Sequence, residues 1–318
     1  MIVFYQFDDK IIWVTGSRHY CIDLNTGETV WRRRLDFSAN SRITGLDGYY
    51  YFNGPPQGDN VDEKSIMVYR GDVSNGNFIP YLDYDNLAAR PDHVIILTTG
   101  VIRTKAINKL GVNYLLLDGR DPVLDSVHFS QRHISLYNMD ENEWVYDKSP
   151  IGIVESNNSG NIDVDDSSVY IAAGRFIESY NLLTGEQVWS KEFPNNFNFS
   201  GIIAVGDRVI GNCENQELYI IEASTGRRIW TGDGSGTSSK LIGRELNGVI
   251  YISGGGPNTL YAIDINNGNT LWDISATEYE DFNSNWKKDL YVIPGEKDSL
   301  GKIVIASSEK IYCFDAVR

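Results

Sequence analysis

The stretch LYAIDINNGNTLW, residues 260–272, decides how this chain is read. Leu260, Ala262 and Asp264 share one side of an extended segment, and Tyr261 and Ile263 share the other, which is the period of a strand. Asn266, Asn267 and Gly268 then mark a tight turn, because Asn and Gly adopt positive φ at little cost. Asn269 to Trp272 returns as a second strand that ends in a large aromatic.

The same hairpin recurs. CIDLNTGETVW (21–31), SYNLLTGEQVW (179–189) and IIEASTGRRIW (220–230) repeat the spacing of AIDINNGNTLW (262–272). In each, an acidic or Asn residue stands four before a Gly and eight before a Trp. The series is Asp23/Gly27/Trp31, Asn181/Gly185/Trp189, Glu222/Gly226/Trp230 and Asp264/Gly268/Trp272. Three eroded copies extend it. YRGDVSNGNFIP keeps Asp72 and Gly76 but has Pro80 in place of the Trp. LYNMDENEW keeps Asp140 and Trp144 with a shortened turn, and IYCFDAVR keeps Asp315.

Positions 140, 181, 222 and 264 lie about 40 residues apart, room for four short strands and their turns, and a period of that size marks a β-propeller with one blade per repeat. A further strand pair precedes each anchor, as in SGIIAVGDRVIGNC (200–213), where Gly-Asp supplies a hairpin signal between apolar runs. The expected fold is all-β: a single β-propeller of about seven four-stranded blades spanning 1–318, with room for an eighth. The 68 residues between Asp72 and Asp140 exceed one period, so an irregular insertion is expected around 87–130. MIVFYQ would either open the first blade or complete the last.

The motif resembles the repeat of the PQQ-like (quinoprotein-like) β-propellers, Ala-x-Asp-x-x-Thr-Gly-x-x-x-Trp. Ala262, Asp264, Gly268 and Trp272 carry the likeness best, and Thr26-Gly27, Thr184-Gly185 and Thr225-Gly226 supply the Thr-Gly. Cys21, Ser179, Ile220 and Cys313 depart from the small Ala. The resemblance implies that the Trp docks on the neighbouring blade while the Asx and Thr-Gly shape the turn; it does not imply an activity. The quinone-dependent dehydrogenases of this family resemble one another in a vicinal Cys pair, a calcium site and a catalytic Asp, and this chain has no Cys-Cys. The family's outer-membrane assembly lipoprotein is exported, whereas MIVFYQFDDK has neither a basic n-region nor a lipobox. The expected location is therefore the cytoplasm.

Other chemistry is thin. Cys21, Cys213 and Cys313 form no CxxC and read as small buried thiols rather than a disulfide or zinc set. His128 and His133 share SVHFSQRH without a third ligand and read as a polar loop. NIDVDDSSVY (161–170) lacks the Gly and terminal Glu of a calcium loop and suits a solvated turn. GGGP (254–257) lacks the Lys-Ser/Thr of a phosphate loop. No metal, cofactor or catalytic residue is expected, and no 18-residue apolar run suggests a membrane span.

Charge is more informative. Lys and Arg number 28 and Asp and Glu 43, so the formal charge of −15 disfavours nucleic acid and suits either plain solubility or a basic protein partner. The long connections are expected on one rim, opposite the tight turns. GPPQGDNVDEKS (54–65) offers Asp59, Asp62 and Glu63, and GRDPVLDSVHFSQR (119–132) offers Asp121 and Asp125. SATEYEDFNSNW (275–286) offers Tyr279, Glu280, Asp281 and Trp286. Acid with interspersed aromatics suits protein binding, aromatics as anchors and charge as steering. The expected function is a non-enzymatic protein-binding propeller, in concrete form an immunity protein that neutralises a basic toxin. The alternative is an enzyme or sensor that holds a quinone or small ligand in a central channel.

Overall fold

A computed structural model describes residues 2–37, 43–55, 66–84, 103–122, 129–155, 161–197, 201–213, 217–233, 242–253, 259–276, 286, 290–295, 299–306 and 311–317. They fall into two compact units, Met1–Asn157 with Leu183–Gly185, and Asn158–Leu182 with Glu186–Arg318.

The first unit holds three sheets. One is β1 (Ile2–Phe7), β2 (Lys10–Thr15), β3 (Arg18–Asp23) and β4 (Thr29–Arg34). The next is β5 (Thr44–Leu46), β6 (Tyr49–Gly54), β7 (Ile66–Asp72) and β8 (Phe78–Tyr84). The third is β9 (Arg103–Lys109), β10 (Val112–Pro122), β11 (Phe129–Asn138) and β12 (Glu143–Glu155). In the second unit, β13 (Asn161–Val164), β14 (Ser168–Ala173), β15 (Phe176–Asn181) and β16 (Gln187–Glu192) form one sheet. β17 (Ile202–Val205), β18 (Arg208–Asn212), β19 (Glu217–Glu222) and β20 (Arg228–Asp233) form another. β21 (Ile242–Leu246), β22 (Val249–Ser253), β23 (Thr259–Asp264) and β24 (Thr270–Ser275) follow, then β25 (Leu290–Pro294), β26 (Gly301–Ala306) and β27 (Ile311–Asp315). Within every sheet the strands pair in chain order and antiparallel, so each is a meander, the blade of an all-β propeller. Among the described residues there are seven such blades, six of four strands and one of three. MIVFYQ forms β1 of the first blade, with Ile2 opposite Thr15.

The anchor residue works as a turn builder. Asp23 Oδ1 accepts from the backbone N–H of Asn25 and Thr26, both at 2.9 Å, and Asp264 Oδ1 accepts from that of Asn266 at 2.8 Å. These bonds favour the charged carboxylate and hold Asp23 below its ordinary pKa. The interchange of Thr and Asn before the Gly has the same local cause. Thr26 Oγ1 accepts from Glu28 N at 3.2 Å, and Asn267 Oδ1 accepts from Asn269 N at 2.8 Å, so either side chain closes the same gap. The Gly N–H closes the turn onto the anchor carbonyl, at 2.8 Å for both Gly27 and Gly268.

In the third blade the register differs from the expected Asp140/Trp144. Asn138 Oδ1 accepts from Asp140 N at 3.0 Å and Glu141 N at 3.2 Å, the bonds Asp23 makes in the first blade. Asn142, four residues on, has φ +57° and takes the glycine position. Tyr146, eight on, pairs with Leu136 as Trp31 pairs with Cys21, across the same bulge. The triplet is therefore Asn138/Asn142/Tyr146. It escapes a search for Asp, Gly and Trp because each member is replaced by a residue with the same physical capacity: an Asx acceptor, a tolerant αL residue and a large ring.

The recurring ring docks one blade on the next. Trp31 Nε1 donates to Val73 O at 2.8 Å, and Trp189 Nε1 donates to Ala223 O at 2.9 Å. Beneath each ring lies the next turn's glycine: a Cβ on Gly76, Gly226 or Gly268 would stand 2.6, 2.6 or 2.1 Å from Trp31, Trp189 or Trp230. In the first unit Tyr146 meets Gly185 in the same way, with a Cβ there 3.1 Å from the ring, and Ser149 Oγ donates to Gly185 O at 2.9 Å. Apolar clusters fill the spaces between blades, such as Ile12, Cys21, Trp31, Tyr50, Phe52 and Tyr69 in the first unit. Pro80 leaves the second blade without a ring at this position, and Tyr81 instead packs edge-on against Tyr137 of the third.

The expected insertion is partly regular. Residues 103–122 supply β9 and β10, two ordinary strands of the third blade, and 87–102 and 123–128 lie outside the described residues. His133 is buried in β11 rather than set in a polar loop. Cys21 and Cys213 are buried thiols, but Cys313 is exposed.

Candidate functional site

Three tight turns of the first unit surround an open cavity of about 400 Å³. Asp8 and Asp9 come from the β1–β2 turn, Asp47 and Gly48 from the β5–β6 turn, and Asp72, Val73 and Ser74 from the turn after β7. Phe7, Lys10 and Tyr49 complete the lining. These acids lie here because of hairpin chemistry. Asp8 and Asp47 have φ +35° and +50°, a region that Asp enters more readily than most residues, while Asp72 caps its own turn. Ser74 donates to Asp72 Oδ1 from its backbone N at 2.7 Å and its hydroxyl at 2.6 Å, and Asn75 Nδ2 donates to Oδ2 at 2.9 Å. The Ser74 hydroxyl bond is the main cause that holds the Asp72 carboxyl below its usual range. Lys10 pairs with Asp9 at 2.9 Å, which raises the ammonium pKa.

The acidic surface continues onto the third blade. Asn113 Nδ2 donates to Asp47 Oδ2 at 2.8 Å and its backbone N donates to Asp140 Oδ2 at 2.9 Å. Four aspartates face the cavity against one lysine, so it offers acceptors and negative potential to a cationic group. Sequence reading passed over these residues because tight turns are explained by backbone geometry alone. The signal was the excess of Asp over Asn at positions where either would serve.

Of the residues expected on the opposite rim, Asp59, Asp62, Glu63, Asp125, Tyr279, Glu280 and Asp281 lie outside the described residues. Asp121 sits near the end of β10, paired with Gln131. Trp286 is a correction: it is 6% exposed, donates from Nε1 to Ile274 O at 3.2 Å and packs edge-on against Tyr312 and Phe314. It anchors the core beside the last blade, not a partner. In the blade turns Asp23 O, Glu222 O and Asp264 O accept from Gly27 N, Gly226 N and Gly268 N, Asn181 N donates to Glu186 O, and Trp31, Trp189, Trp230 and Trp272 stand in the fourth strands that follow.

The strands that flank the 123–128 connection are pinned by a buried ion pair. Arg132 is fully buried and donates to Asp118 from Nε and Nη2, each at 2.7 Å. Asp163, Asp165 and Asp166 hold no calcium-loop geometry: Asp165 accepts from Ser167 N, Ser168 N and the Tyr170 hydroxyl as an ordinary turn. Among the described residues no group of three or more His, Cys, Asp or Glu is placed to hold a metal, and no helix is long and apolar enough to cross a membrane.

Comparison with known proteins agrees with the blade geometry. The structure resembles that of BamB from Moraxella catarrhalis, with a TM-score of 0.56, 13% identity, and coverage of 98% of this chain and 80% of that one. It also resembles the computationally designed Ika8 protein, with a TM-score of 0.56, 8% identity, and coverage of 99% and 96%. At such identities these likenesses speak for the β-propeller fold alone. No curated protein matches in sequence. The family model described as outer membrane protein assembly factor BamB matches residues 144–316, more than half of the chain, and the chain belongs to that family of PQQ-like propellers.

Proposed function

We propose that this chain is a non-enzymatic scaffold that binds a basic protein partner through acidic surface, and that in its concrete form it is a cytoplasmic immunity protein neutralising a toxin. The observation that carries the protein-binding part is the cavity of the first unit, where Asp8, Asp9, Asp47 and Asp72 converge from three turns. With a formal charge of −15 behind it, such a surface accelerates encounter with a cationic partner and selects against acidic ones. Family membership supports an interaction role, since the matched model is described as an assembly factor. The acidic connections with Asp59, Asp62, Glu63, Asp121, Asp125, Glu280 and Asp281 are the second surface proposed for the partner.

The test is co-purification with the product of the adjacent gene, followed by charge reversal on each surface separately. D8K/D47K addresses the turn surface and D59K/D62K/E63K the long connections. Loss of binding in either variant, with protection of cells from the neighbouring product by the wild type, supports the reading. No complex and no protection would refute it.

A further inference from the structure

In every four-stranded blade but the second, one row of residues crosses the sheet and ends in the ring of the fourth strand. In the first blade it runs Tyr5, Ile12, Cys21, Trp31; in the sheet of β13–β16 it runs Asp163, Tyr170, Ser179, Trp189. In that of β21–β24 it runs Arg244, Tyr251, Ala262, Trp272. The third-strand member is buried each time: Cys21, Leu136, Ile220 and Ala262 at 0% and Ser179 at 1%. In the last blade the row runs Tyr291, Val304, Cys313, and no described strand lies beyond β27. Cys313 is accordingly exposed and Val304 only half-buried.

We infer that the outer edge of β27 receives an extended segment of a protein partner that carries a polar–aliphatic–tryptophan sequence, its Trp opposite Cys313. The inference rests on the protein-binding reading above and specifies the partner's chemistry. The fourth strands of this chain define what fits there: Thr29-Val30-Trp31, Gln187-Val188-Trp189, Arg228-Ile229-Trp230 and Thr270-Leu271-Trp272. Strand addition supplies backbone hydrogen bonds for affinity and side-chain pockets for specificity. The aliphatic residue favours the extended form; the native Val30, Val188 and Leu271 face solvent. The Trp covers the Val304–Cys313 shelf, as Trp272 covers Ala262 beside Tyr251.

Cys313 is a built-in reporter, with buried Cys21 and Cys213 as internal references. The full chain is treated with maleimide and each thiol's labelling is followed by peptide mass mapping, without and with an acetylated, amidated GNTLWDIS peptide, the sequence of residues 268–275. Cys313 is expected to react first in the free chain and about tenfold more slowly with peptide present, and a GNTLSDIS peptide is expected to give little protection. Three results would overturn the inference: Cys313 as slow as Cys21 without peptide, no protection at millimolar peptide, or equal protection by the two peptides. Partner binding by the wild type that survives such a failure, and is lost in D8K/D47K, keeps the broader reading while removing this edge.

Discussion

The indole of Trp189 lies where a side chain on Gly226 would have to begin, its Cε3 2.6 Å from the position of a Cβ there. One residue ends a blade and the other turns the next, so their contact ties the repeat motif to itself. A small residue is needed twice at Gly226, once for the ring and once for φ +70°. Gly226→Ala is therefore expected to lower stability by about 2–4 kcal/mol, combining the left-handed penalty with overpacking. Gly206→Ala, at φ +54° with nothing within 4 Å of its Cβ, is expected to cost about 1–2 kcal/mol. Urea unfolding of the two variants compares them directly.

The third-blade triplet predicts a different tolerance. Asn142→Gly keeps the positive φ and is expected to be neutral or stabilising, whereas Asn142→Val is expected to cost about 1–2 kcal/mol. Tyr146→Trp should be tolerated and Tyr146→Ala should not. Thermal unfolding of the four variants checks the register; a neutral Asn142→Val would contradict it.

The Asp118–Arg132 pair is buried on both sides and bidentate. Removing one partner deprives the other buried charge of its bidentate counter-ion, so Asp118→Leu or Arg132→Met alone is expected to destabilise by about 3–5 kcal/mol. The double substitution replaces both charges with apolar groups and should recover most of that loss. Chemical denaturation of the three variants forms the cycle.

Acid should act through His19. Burial lowers its pKa from 6.5 to about 4, its Nδ1 lies 3.2 Å from the Tyr50 hydroxyl, and its Nε2 has no hydrogen-bond partner among the described residues. Between these values the unfolded chain binds a proton that the folded chain does not. The contribution is thus fully present above pH 6.5 and is lost as pH falls towards 4, by about 3 kcal/mol. Asp23 and Asp72, held below their usual range, lose their contribution only at still lower pH. His19→Phe should flatten the stability profile between pH 6.5 and 4, measured by urea unfolding across that range.

The fold was legible wherever one residue type monopolises a physical task. Gly at φ +73° to +76° and Trp as the inter-blade wedge gave Asp23/Gly27/Trp31 and Asp264/Gly268/Trp272 away at once. Where the task admits substitutes, as in Asn138/Asn142/Tyr146, the pattern dissolved and the anchor was misplaced by two residues. The site was harder to read for a related reason. Asp8 and Asp47 are justified as turn residues, and only the convergence of separate turns around one cavity gives them a joint electrostatic role. Trp286 misled because it sits in an acidic stretch of sequence, yet its indole N–H finds Ile274 O inside the core.

The most direct test of the protein-binding assignment is calorimetric titration of the full chain with the purified product of the adjacent gene at low and high salt. A complex is expected whose affinity falls about tenfold or more between 50 and 500 mM salt, and which D8K/D47K or D59K/D62K/E63K weakens further. No complex at either salt, or one indifferent to salt and to both charge reversals, would contradict it.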